Sequence, residues 1–239
     1  MDIYNNSEHN IDIITKIDHS PLTKADTVSN EIISAALAVI LPDIPLISEE
    51  SNLESYDIRK SWKYVWLLDP LDGTKEFINR TDEFSINLAL IKDGIPEVGF
   101  IYLPVFKTLY YAFRGFGSFK IENGIEIKLS ADTYKLNQTG LRVVVSRQGM
   151  DSETTKIVHC LDNPLILPLG SALKFISIAE GDSDYYPRMV HLKEWDTAAG
   201  QVIVEEAGGS LVDAKKGIPL TYNKASMINP TFIASGKLI

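Results

Sequence analysis

Two aspartates, Asp69 and Asp72, stand close together in the stretch WLLDPLDGTKEF, directly after an apolar run. Pro70 between them restricts the backbone and cannot continue a helix. A turn at this point can therefore direct both carboxylates and the Leu71 carbonyl to one side. Oxygen donors of this kind suit Mg²⁺ or Mn²⁺ far better than zinc, which prefers His or Cys.

The residues that follow the two aspartates favour a phosphate site. Gly73 and Thr74 open a short predicted helix, TKEFINR, and the first free N–H groups of a helix can hold a phosphate oxygen. Taken alone, the motif has a second interpretation as a polar surface turn, because Asp, Pro and Gly favour turns. A calcium-binding EF-hand is not expected, because acids do not recur at alternate positions and no glutamate closes the loop.

Acidic residues at the ends of two other predicted elements favour a metal site over a surface turn. Glu49 follows a predicted strand in LISEES, and Asp196 begins a predicted helix in EWDTAAGQVIVEEAGG. Each has a purely structural interpretation, as a strand-end charge and as a helix N-cap respectively. Together with Asp69 and Asp72, they could complete a cage for two metal ions.

Hydrophobic periodicity predicts the elements that must position these residues. A helix is predicted over 25–41, because apolar residues recur at a helical period before Pro42. Short apolar runs predict strands at 44–48 and 64–68, and the stretch 84–129 predicts an antiparallel region of hairpins. The later part of the chain alternates predicted strands and helices, at 142–146, 151–161, LILPL, 171–180, SDYY and 196–207.

No repeat or flexible linker divides the chain, which predicts one compact catalytic unit with two halves. The stretch 130–140, SADTYKLNQTG, is the best junction. It separates an N-terminal α+β half, 1–135, with most of the acidic residues above, from a C-terminal α/β half, 136–239, that contains Asp196.

Composition excludes several classes of function. A net charge of −9 argues against binding to nucleic-acid polymers, which need a basic surface. The longest apolar stretches are too short to span a bilayer, and the polar N-terminus does not resemble a secretory signal, so a cytoplasmic protein is expected. The single cysteine, Cys160, has no partner for an internal disulfide and is expected to be a small buried side chain.

Three separated motifs, DPLDGTKEF, SEE and WDTAAG, resemble those of the inositol-monophosphatase superfamily of magnesium-dependent, lithium-sensitive phosphatases. Within it, GTKEF followed by EFSINLALI, together with GSALKF and YPR, is most similar to the CysQ-type 3'(2'),5'-bisphosphate nucleotidases. The resemblance implies an α/β fold, a layered αβαβα sandwich, with the site in the cleft between its halves. It also implies two or more Mg²⁺ ions, for which Mn²⁺ can substitute.

The resemblance implies a role for each acidic residue. Glu49, Asp69 and the Leu71 carbonyl would hold one Mg²⁺, while Asp69, Asp72 and Asp196 would hold a second. Asp69 would therefore bridge the two ions. Two such ions can activate water and neutralise phosphate charge during in-line displacement, without a covalent phosphoenzyme.

The resemblance also implies which residues activate the water. Thr74, supported by Asp26, is similar to the pair that, with Glu49, orients and deprotonates the attacking water. The phosphate that is hydrolysed would bind at Gly73 and Thr74, as the helix start predicts.

Four residues are implied as substrate contacts by the same resemblance. Ser171, Lys174 and Arg188 would contact the second phosphate, the ribose or the base, and Lys16 stands where the family often has a lysine near the phosphate. Gly149 departs from the family pattern, because it occupies the position of a histidine that would contact the nucleotide. Glu194 is a second departure, at a position that is often apolar.

The predicted reaction is hydrolysis of the 3'-phosphate of adenosine 3',5'-bisphosphate to AMP and phosphate, which removes a by-product of sulfate activation. An inositol or sugar monophosphatase with the same metal centre is the alternative, and a non-catalytic metal- or nucleotide-binding module ranks lower. A haloacid-dehalogenase mechanism, with an aspartate nucleophile, also ranks lower. In those enzymes one residue separates the two aspartates, whereas two residues separate Asp69 and Asp72 here. A homodimer, and weak peripheral association with the cytoplasmic side of the inner membrane, stay open.

Overall fold

Two large β-sheets with helices on and between them make up the fold. The computed structural model describes residues 1–6, 13–15 and 21–239. Lys16, one of the proposed substrate contacts, lies outside these described residues. No helix in the described ranges is long and apolar enough to span a membrane.

The N-terminal segment leads into a long helix. Its elements are helix α1 (Asp2–Asn6), strands β1 (Ile13–Thr15) and β2 (Pro21–Thr23), and helix α2 (Lys24–Ile40). A capping box defines the start of α2, because the Thr23 side chain accepts from the helix backbone while the Asp26 side chain accepts from the Thr23 N–H. The predicted helix over 25–41 is thus confirmed to within one residue at each end.

The first large sheet has seven strands in chain order. Its strands are β3 (Leu46–Ser48), β4 (Tyr64–Asp72), β5 (Ser85–Lys92), β6 (Ile95–Leu103), β7 (Thr108–Phe113), β8 (Gly117–Glu122) and β9 (Ile125–Lys128). Strands β3 and β4 are parallel, and every later neighbour is antiparallel, as the hairpin pattern predicts. Two short helices, α3 (Tyr56–Arg59) and α4 (Thr74–Ile78), flank β4 in the chain.

The second large sheet has five strands in the order β12-β11-β13-β15-β14. These strands are β11 (Arg142–Ser146), β12 (Leu165–Leu169), β13 (Tyr185–Arg188), β14 (Ser210–Asp213) and β15 (Phe232–Ser235). Helices α5 (Ser152–His159), α6 (Leu173–Ala179) and α7 (Ala198–Glu206) connect them. Strands β10 (Thr133–Tyr134) and β16 (Lys237–Leu238) pair separately, in parallel.

Helices α6 and α7 form the middle layer between the two sheets. The main core joins α6 and α7 to inward-facing residues of both sheets, such as Ile101 and Phe232. The packing is close: a Cβ added at Gly99 on β6 would lie 2.5 Å from Val202 Cγ1 on α7. Glycine at that position therefore lets the helix approach the sheet.

The outer layers complete the predicted αβαβα sandwich. Helix α2 contacts β4, whose Val65 and Leu67 belong to the main core. Because side chains alternate along a strand, Trp66 and Leu68 face the other side. Helix α5 contributes Val158 to a separate cluster on the second sheet. The α/β layered prediction is confirmed.

Two expectations from the sequence are wrong in detail. The helix predicted over 196–207 begins at Ala198 with Thr197 as its N-cap, because Asp196 accepts from the Lys193 N–H within the preceding turn. Cys160 is exposed, because it caps the C-terminus of the surface helix α5.

Candidate active site

A bulge in strand β4 sets the geometry of the Asp69 and Asp72 pair. Asp69 lies opposite Asn87 and Asp72 lies opposite Ser85, so three steps on β4 match two steps on β5. The additional residue restores the alternation, and both aspartates face the same side of the sheet. The predicted turn at this motif is therefore a bulge inside a continuous strand, and Pro70, which lacks an N–H, is accommodated within it.

Three carboxylates meet at this end of the first sheet. Glu49, Asp69 and Asp196 each place one oxygen within 4.8 Å of the others. Glu49 directly follows β3, where its N–H donates to the Leu68 carbonyl at 3.1 Å. Asp196 lies in the turn before α7, and its Oδ2 accepts the Lys193 N–H at 2.9 Å. Residues far apart in the sequence are thus brought to one point.

Burial and mutual repulsion act strongly on these carboxyl groups. The pKa of Asp69 lies well above its usual range, first because of burial and then because Glu49, Asp72 and Asp196 are close. The pKa of Asp196 is raised in the same way, by burial and by its acidic neighbours. A divalent cation would neutralise this repulsion, so the donor set, which is all oxygen, fits Mg²⁺.

Asp72 lies beside this cluster and also faces the second half of the molecule. Its Oδ2 accepts hydrogen bonds from Ser171 Oγ at 2.7 Å and from Asn87 Nδ2 at 3.2 Å. Burial raises the pKa of Asp72, while the nearby Lys174 ammonium and these hydrogen bonds oppose the rise. Asp72 therefore connects the carboxylate cluster to the residues predicted to contact substrate.

Thr74 and Asp26 form a pair, at hydrogen-bonding distance. Thr74 Oγ1 lies 3.3 Å from Asp26 Oδ1 and 3.4 Å from the Leu71 carbonyl oxygen, and it can donate to either. The other oxygen of Asp26 accepts both the N–H and the hydroxyl of Thr23, at 2.8 and 2.6 Å. The α2 capping box therefore fixes Asp26 in a buried position where it can orient the Thr74 hydroxyl.

Gly73 has the left-handed backbone conformation that the start of α4 requires. Its φ is +90°, which favours glycine, and a Cβ there would lie 3.1 Å from both the Glu83 carbonyl and Ser171 Cβ. The absence of a side chain thus lets the strand turn directly into α4 and lets the Ser171 segment approach the motif.

A cleft of about 140 Å³ lies next to the carboxylates. Asp72, Gly73 and Asp196 line one part of it, and Ser171, Lys174 and Arg188 line another. Six of the predicted site residues therefore share one cavity, although they come from both halves of the chain.

Lys174 is a buried cation in this cleft. Its Nζ donates to the Ser171 carbonyl at 2.5 Å and to the Leu169 carbonyl at 3.4 Å. Burial lowers the pKa of Lys174 to about 8, Asp72 opposes that shift, and the positive charge of Arg188 adds to it. Two cations held this close to each other favour an anionic ligand.

The sequence analysis missed the hydroxyl of Tyr186. Tyr186 lines the cleft and is fully buried, and its hydroxyl has no hydrogen-bond partner among the described residues. The Nε of Arg188 also lacks a partner within the described chain. Buried polar atoms are normally paired, so both atoms are available to a ligand.

Three further polar residues escaped prediction. Ser85 and Asn87 support the site from β5: the Ser85 hydroxyl contacts Asn87 Oδ1 at 2.8 Å and Ser171 Oγ at 2.7 Å. Polar residues at alternate positions of an otherwise apolar strand were the signal that could have found them. Gln148 lines the cleft and donates to Glu76 Oε1 at 3.0 Å, whereas a Cβ on the adjacent Gly149 would meet only open space.

A family model described as the inositol monophosphatase family matches residues 3–238. The 3'(2'),5'-bisphosphate nucleotidase CysQ of Escherichia coli strain K12 is 37% identical over 236 residues, which cover 98% of this chain and 93% of that protein. CysQ of Buchnera aphidicola is 38% identical over 241 residues, which cover 98% of this chain and 87% of that protein.

Solved structures show the same fold. CysQ from Bacteroides thetaiotaomicron, a bacterial member of the inositol monophosphatase family, superposes with a TM-score of 0.83 at 34% identity and covers 98% of this chain and 90% of its own. An IMPase/NADP phosphatase complexed with Mg²⁺ and phosphate has a TM-score of 0.78 at 23% identity, over 95% of this chain and 82% of its own. At that identity, the second likeness concerns the fold alone.

Proposed function

Because the chain belongs to the inositol monophosphatase family, we propose that it is a Mg²⁺-dependent phosphomonoesterase that hydrolyses the 3'-phosphate of adenosine 3',5'-bisphosphate to AMP and phosphate. The observation that supports this most strongly is the position of the cationic cleft. Lys174 and Arg188 share a cavity with Asp72 and Asp196, so a substrate with two phosphates could be held at both ends.

Mg²⁺ would be held by the carboxylate cluster. We assign Glu49, Asp69 and the Leu71 carbonyl to one ion and Asp69, Asp72 and Asp196 to a second, with Mn²⁺ able to substitute. Bound ions of this kind lower the pKa of the attacking water and stabilise the leaving alkoxide. The raised pKa values of Asp69 and Asp196 support the assignment, because a cation removes the repulsion that causes them.

Thr74 and Asp26 would orient the attacking water. When Thr74 Oγ1 donates a hydrogen bond to Asp26 Oδ1, its lone pairs can accept a hydrogen bond from the attacking water. Asp26 is held by two hydrogen bonds from Thr23, so the acceptor is already in place before substrate binds. Glu49, in the same carboxylate cluster as Asp69, would assist in activating the water.

The cleft would recognise the phosphate and nucleoside parts of the substrate separately. We assign the reacting phosphate to Gly73 and Thr74 at the start of α4, and the second phosphate to Lys174 and Arg188. Arg188 can offer its unpaired Nε, and Ser171 supports this side through its hydrogen bond to Asp72. The Tyr186 hydroxyl would form a hydrogen bond with the ribose or the base.

A second candidate is an inositol or sugar monophosphatase with the same metal centre. The observation that favours it is Gly149, which leaves open space at the position where a nucleotide-contacting histidine is expected. A monophosphate, however, would give Lys174 and Arg188 no second phosphate to bind. We therefore rank the bisphosphate nucleotide first.

Phosphate release from adenosine 3',5'-bisphosphate, inositol 1-phosphate and fructose 1,6-bisphosphate, compared in Mg²⁺ and in EDTA, tests the proposal. We expect Mg²⁺-dependent turnover with the highest kcat/KM for the nucleotide. A wide preference for inositol 1-phosphate would replace the proposed substrate with the second candidate. Turnover that persists in EDTA, or a trapped phosphoenzyme, would contradict the proposed mechanism.

A further inference from the structure

The loop 222–229 makes hydrogen bonds both to the segment before β4 and to the turn that contains Asp196. Its backbone follows the 192–194 segment through hydrogen bonds: the Glu194 N–H donates to the Met227 carbonyl at 3.0 Å, and the Asn229 N–H donates to the Leu192 carbonyl at 2.8 Å. At its start, the Tyr222 N–H donates to the Gly94 carbonyl at 3.0 Å in the β5–β6 turn. The loop is therefore attached to both halves of the fold.

Arg59 holds the loop from the side of the first sheet. Arg59 is among the largest fully buried side chains among the described residues. Its hydrogen-bond acceptors are carbonyl oxygens, an amide oxygen and a sulfur atom. No carboxylate of the described residues lies within ion-pair distance of it. Its Nε donates to the Glu54 carbonyl at 2.9 Å, and its two terminal nitrogens donate to Asn223 Oδ1 at 2.6 Å and to the Lys224 carbonyl at 3.2 Å. Burying a guanidinium in this way is costly unless its donors are satisfied.

Glu194 holds the loop from the side of α7. It is fully buried, and its two carboxylate oxygens accept the N–H groups of Asn223 and Lys224 at 2.5 and 2.9 Å. An ion pair with Lys224 Nζ at 2.6 Å balances its charge. The Glu194 carbonyl accepts the N–H groups of Thr197 and Ala198 at 3.2 and 3.1 Å, so the same residue also defines the turn that presents Asp196.

Asn223 is the residue that both sides share. Its N–H donates to Glu194, its Oδ1 accepts from Arg59, and its Nδ2 donates to the Arg59 carbonyl at 2.8 Å. Its φ of +58° is left-handed, a conformation that asparagine tolerates better than most residues. The Trp62 N–H donates to the same Arg59 carbonyl at 3.0 Å, so the contacts extend to the residues before β4, the strand that contains Asp69 towards its other end.

We propose that Asn223, held between Arg59 and Glu194, is a positioning residue that fixes Asp196 relative to Asp69 and thereby sets the affinity of the centre for Mg²⁺. The inference rests on the proposed metal centre and adds to it a set of residues that contact no metal or substrate. Hydrogen bonds made directly to metal ligands typically contribute about 10–100-fold to metal affinity or activity, and we expect the lower end of that range because Asn223 acts through Glu194.

The test measures Mg²⁺ affinity by titration calorimetry in the absence of substrate, in the full-length protein and in Asn223→Gly. Glycine keeps the left-handed backbone accessible and the N–H bond to Glu194, but it removes both bonds to Arg59. We expect Mg²⁺ affinity to fall about tenfold or more, with a matching loss of the rise in Tm that Mg²⁺ causes. Glu194→Gln keeps a hydrogen-bond acceptor but loses the ion pair with Lys224, so its Mg²⁺ affinity should lie between those of the wild type and Asn223→Gly.

A matched control separates positioning from general loss of stability. Arg142 makes a comparable ion pair with the buried Asp184 in the second sheet and contacts neither the loop nor the carboxylate cluster in any described bond. Arg142→Met should lower the Tm of the metal-free protein but leave the affinity for Mg²⁺ unchanged.

The outcomes distinguish failure of the positioning role of Asn223 from failure of the proposed metal centre. Weaker Mg²⁺ binding in Asn223→Gly, with unchanged binding in Arg142→Met, supports the positioning role. Equal affinity in wild type and Asn223→Gly, or an equal loss in both variants, overturns that role and leaves the proposed function standing. If the wild-type protein itself does not bind Mg²⁺, the proposed metal centre fails, and the positioning role fails with it.

Discussion

Ser171 donates a hydrogen bond of 2.7 Å to Asp72 Oδ2, and this bond joins the cleft proposed to bind the substrate to the strand with the proposed metal ligands. The two residues belong to different halves of the chain, and both line the same cleft. The bond also opposes the rise in the pKa of Asp72 that burial causes. The bond therefore favours the ionised form of this carboxylate, the form that the proposed metal binding requires.

Ser171→Ala should lower kcat/KM by about tenfold or more, because a hydrogen bond to a charged group contributes roughly 1.5–3 kcal/mol. Steady-state kinetics at saturating Mg²⁺ measure the effect. Ser152→Ala, at an exposed position in the first turn of α5, serves as the control and should behave like wild type. Unchanged kcat/KM in Ser171→Ala would contradict a role for the Ser171 bond.

Asp196→Asn should make the metal-free protein more stable and weaken its response to Mg²⁺, because the second of the two proposed ions loses a ligand. The substitution relieves the repulsion from Asp72 and Glu49 that raises the pKa of Asp196, while an asparagine oxygen can still accept from the Lys193 N–H. In EDTA, a gain of about 1 kcal/mol would raise Tm by about 2–4 °C. Thermal unfolding with and without Mg²⁺ measures both effects.

Asp184→Asn is the matched control for that experiment. Asp184 is a buried carboxylate with which Arg142 pairs, so removal of its charge should lower Tm in EDTA and preserve the response to Mg²⁺. If Asp196→Asn also lowered Tm and kept the full Mg²⁺ response, Asp196 would not be a metal ligand.

Thr74→Val should lower kcat by about 10²–10⁴-fold, the range expected when a positioned acid–base group is lost. Valine has a similar shape but cannot link a water molecule to Asp26. Thr74→Ser keeps the hydroxyl and should retain most of the activity. Because Thr74 is not a proposed metal ligand, calorimetry should show unchanged Mg²⁺ binding in both variants, and a valine variant with normal kcat would refute the role of the Thr74–Asp26 pair.

The kcat/KM for adenosine 3',5'-bisphosphate should fall as the pH rises above about 8, the pKa of the buried Lys174. Above that pH the free enzyme loses the ammonium proton and the positive charge that would attract the second phosphate. In Lys174→Met this alkaline fall should be absent and kcat/KM low throughout. Wild-type activity that stays constant from pH 7 to about 9.5 would contradict the role of Lys174.

Local signals in the sequence predicted most of the individual helices and strands, whereas the layered αβαβα arrangement came from the family resemblance. Residues 25–41 have a helical apolar period, and 84–129 alternate in hairpins, so both were correct within a few residues. The Asp69 and Asp72 region was less predictable. A bulge depends on how β4 pairs with β5, and the sequence of β4 alone does not report that pairing.

Long-range contacts also explain which site residues were missed. The Tyr186 hydroxyl is notable only because it is buried without a partner among the described residues, which no local pattern reveals. The buried Glu194 had no explanation in the sequence, and its partners Asn223 and Lys224 lie in a distant loop. Motifs thus indicate which residues can react, whereas tertiary packing decides which residues support them.

The most direct test of the proposed centre is a crystal structure determined with Mn²⁺ and phosphate, in which anomalous scattering locates the metal. We expect anomalous peaks bound by Glu49, Asp69 and Asp196, whose oxygens already lie within 4.8 Å of one another, and phosphate density next to Gly73 and Thr74. Peaks elsewhere, with these three carboxylates free of metal, would contradict the account.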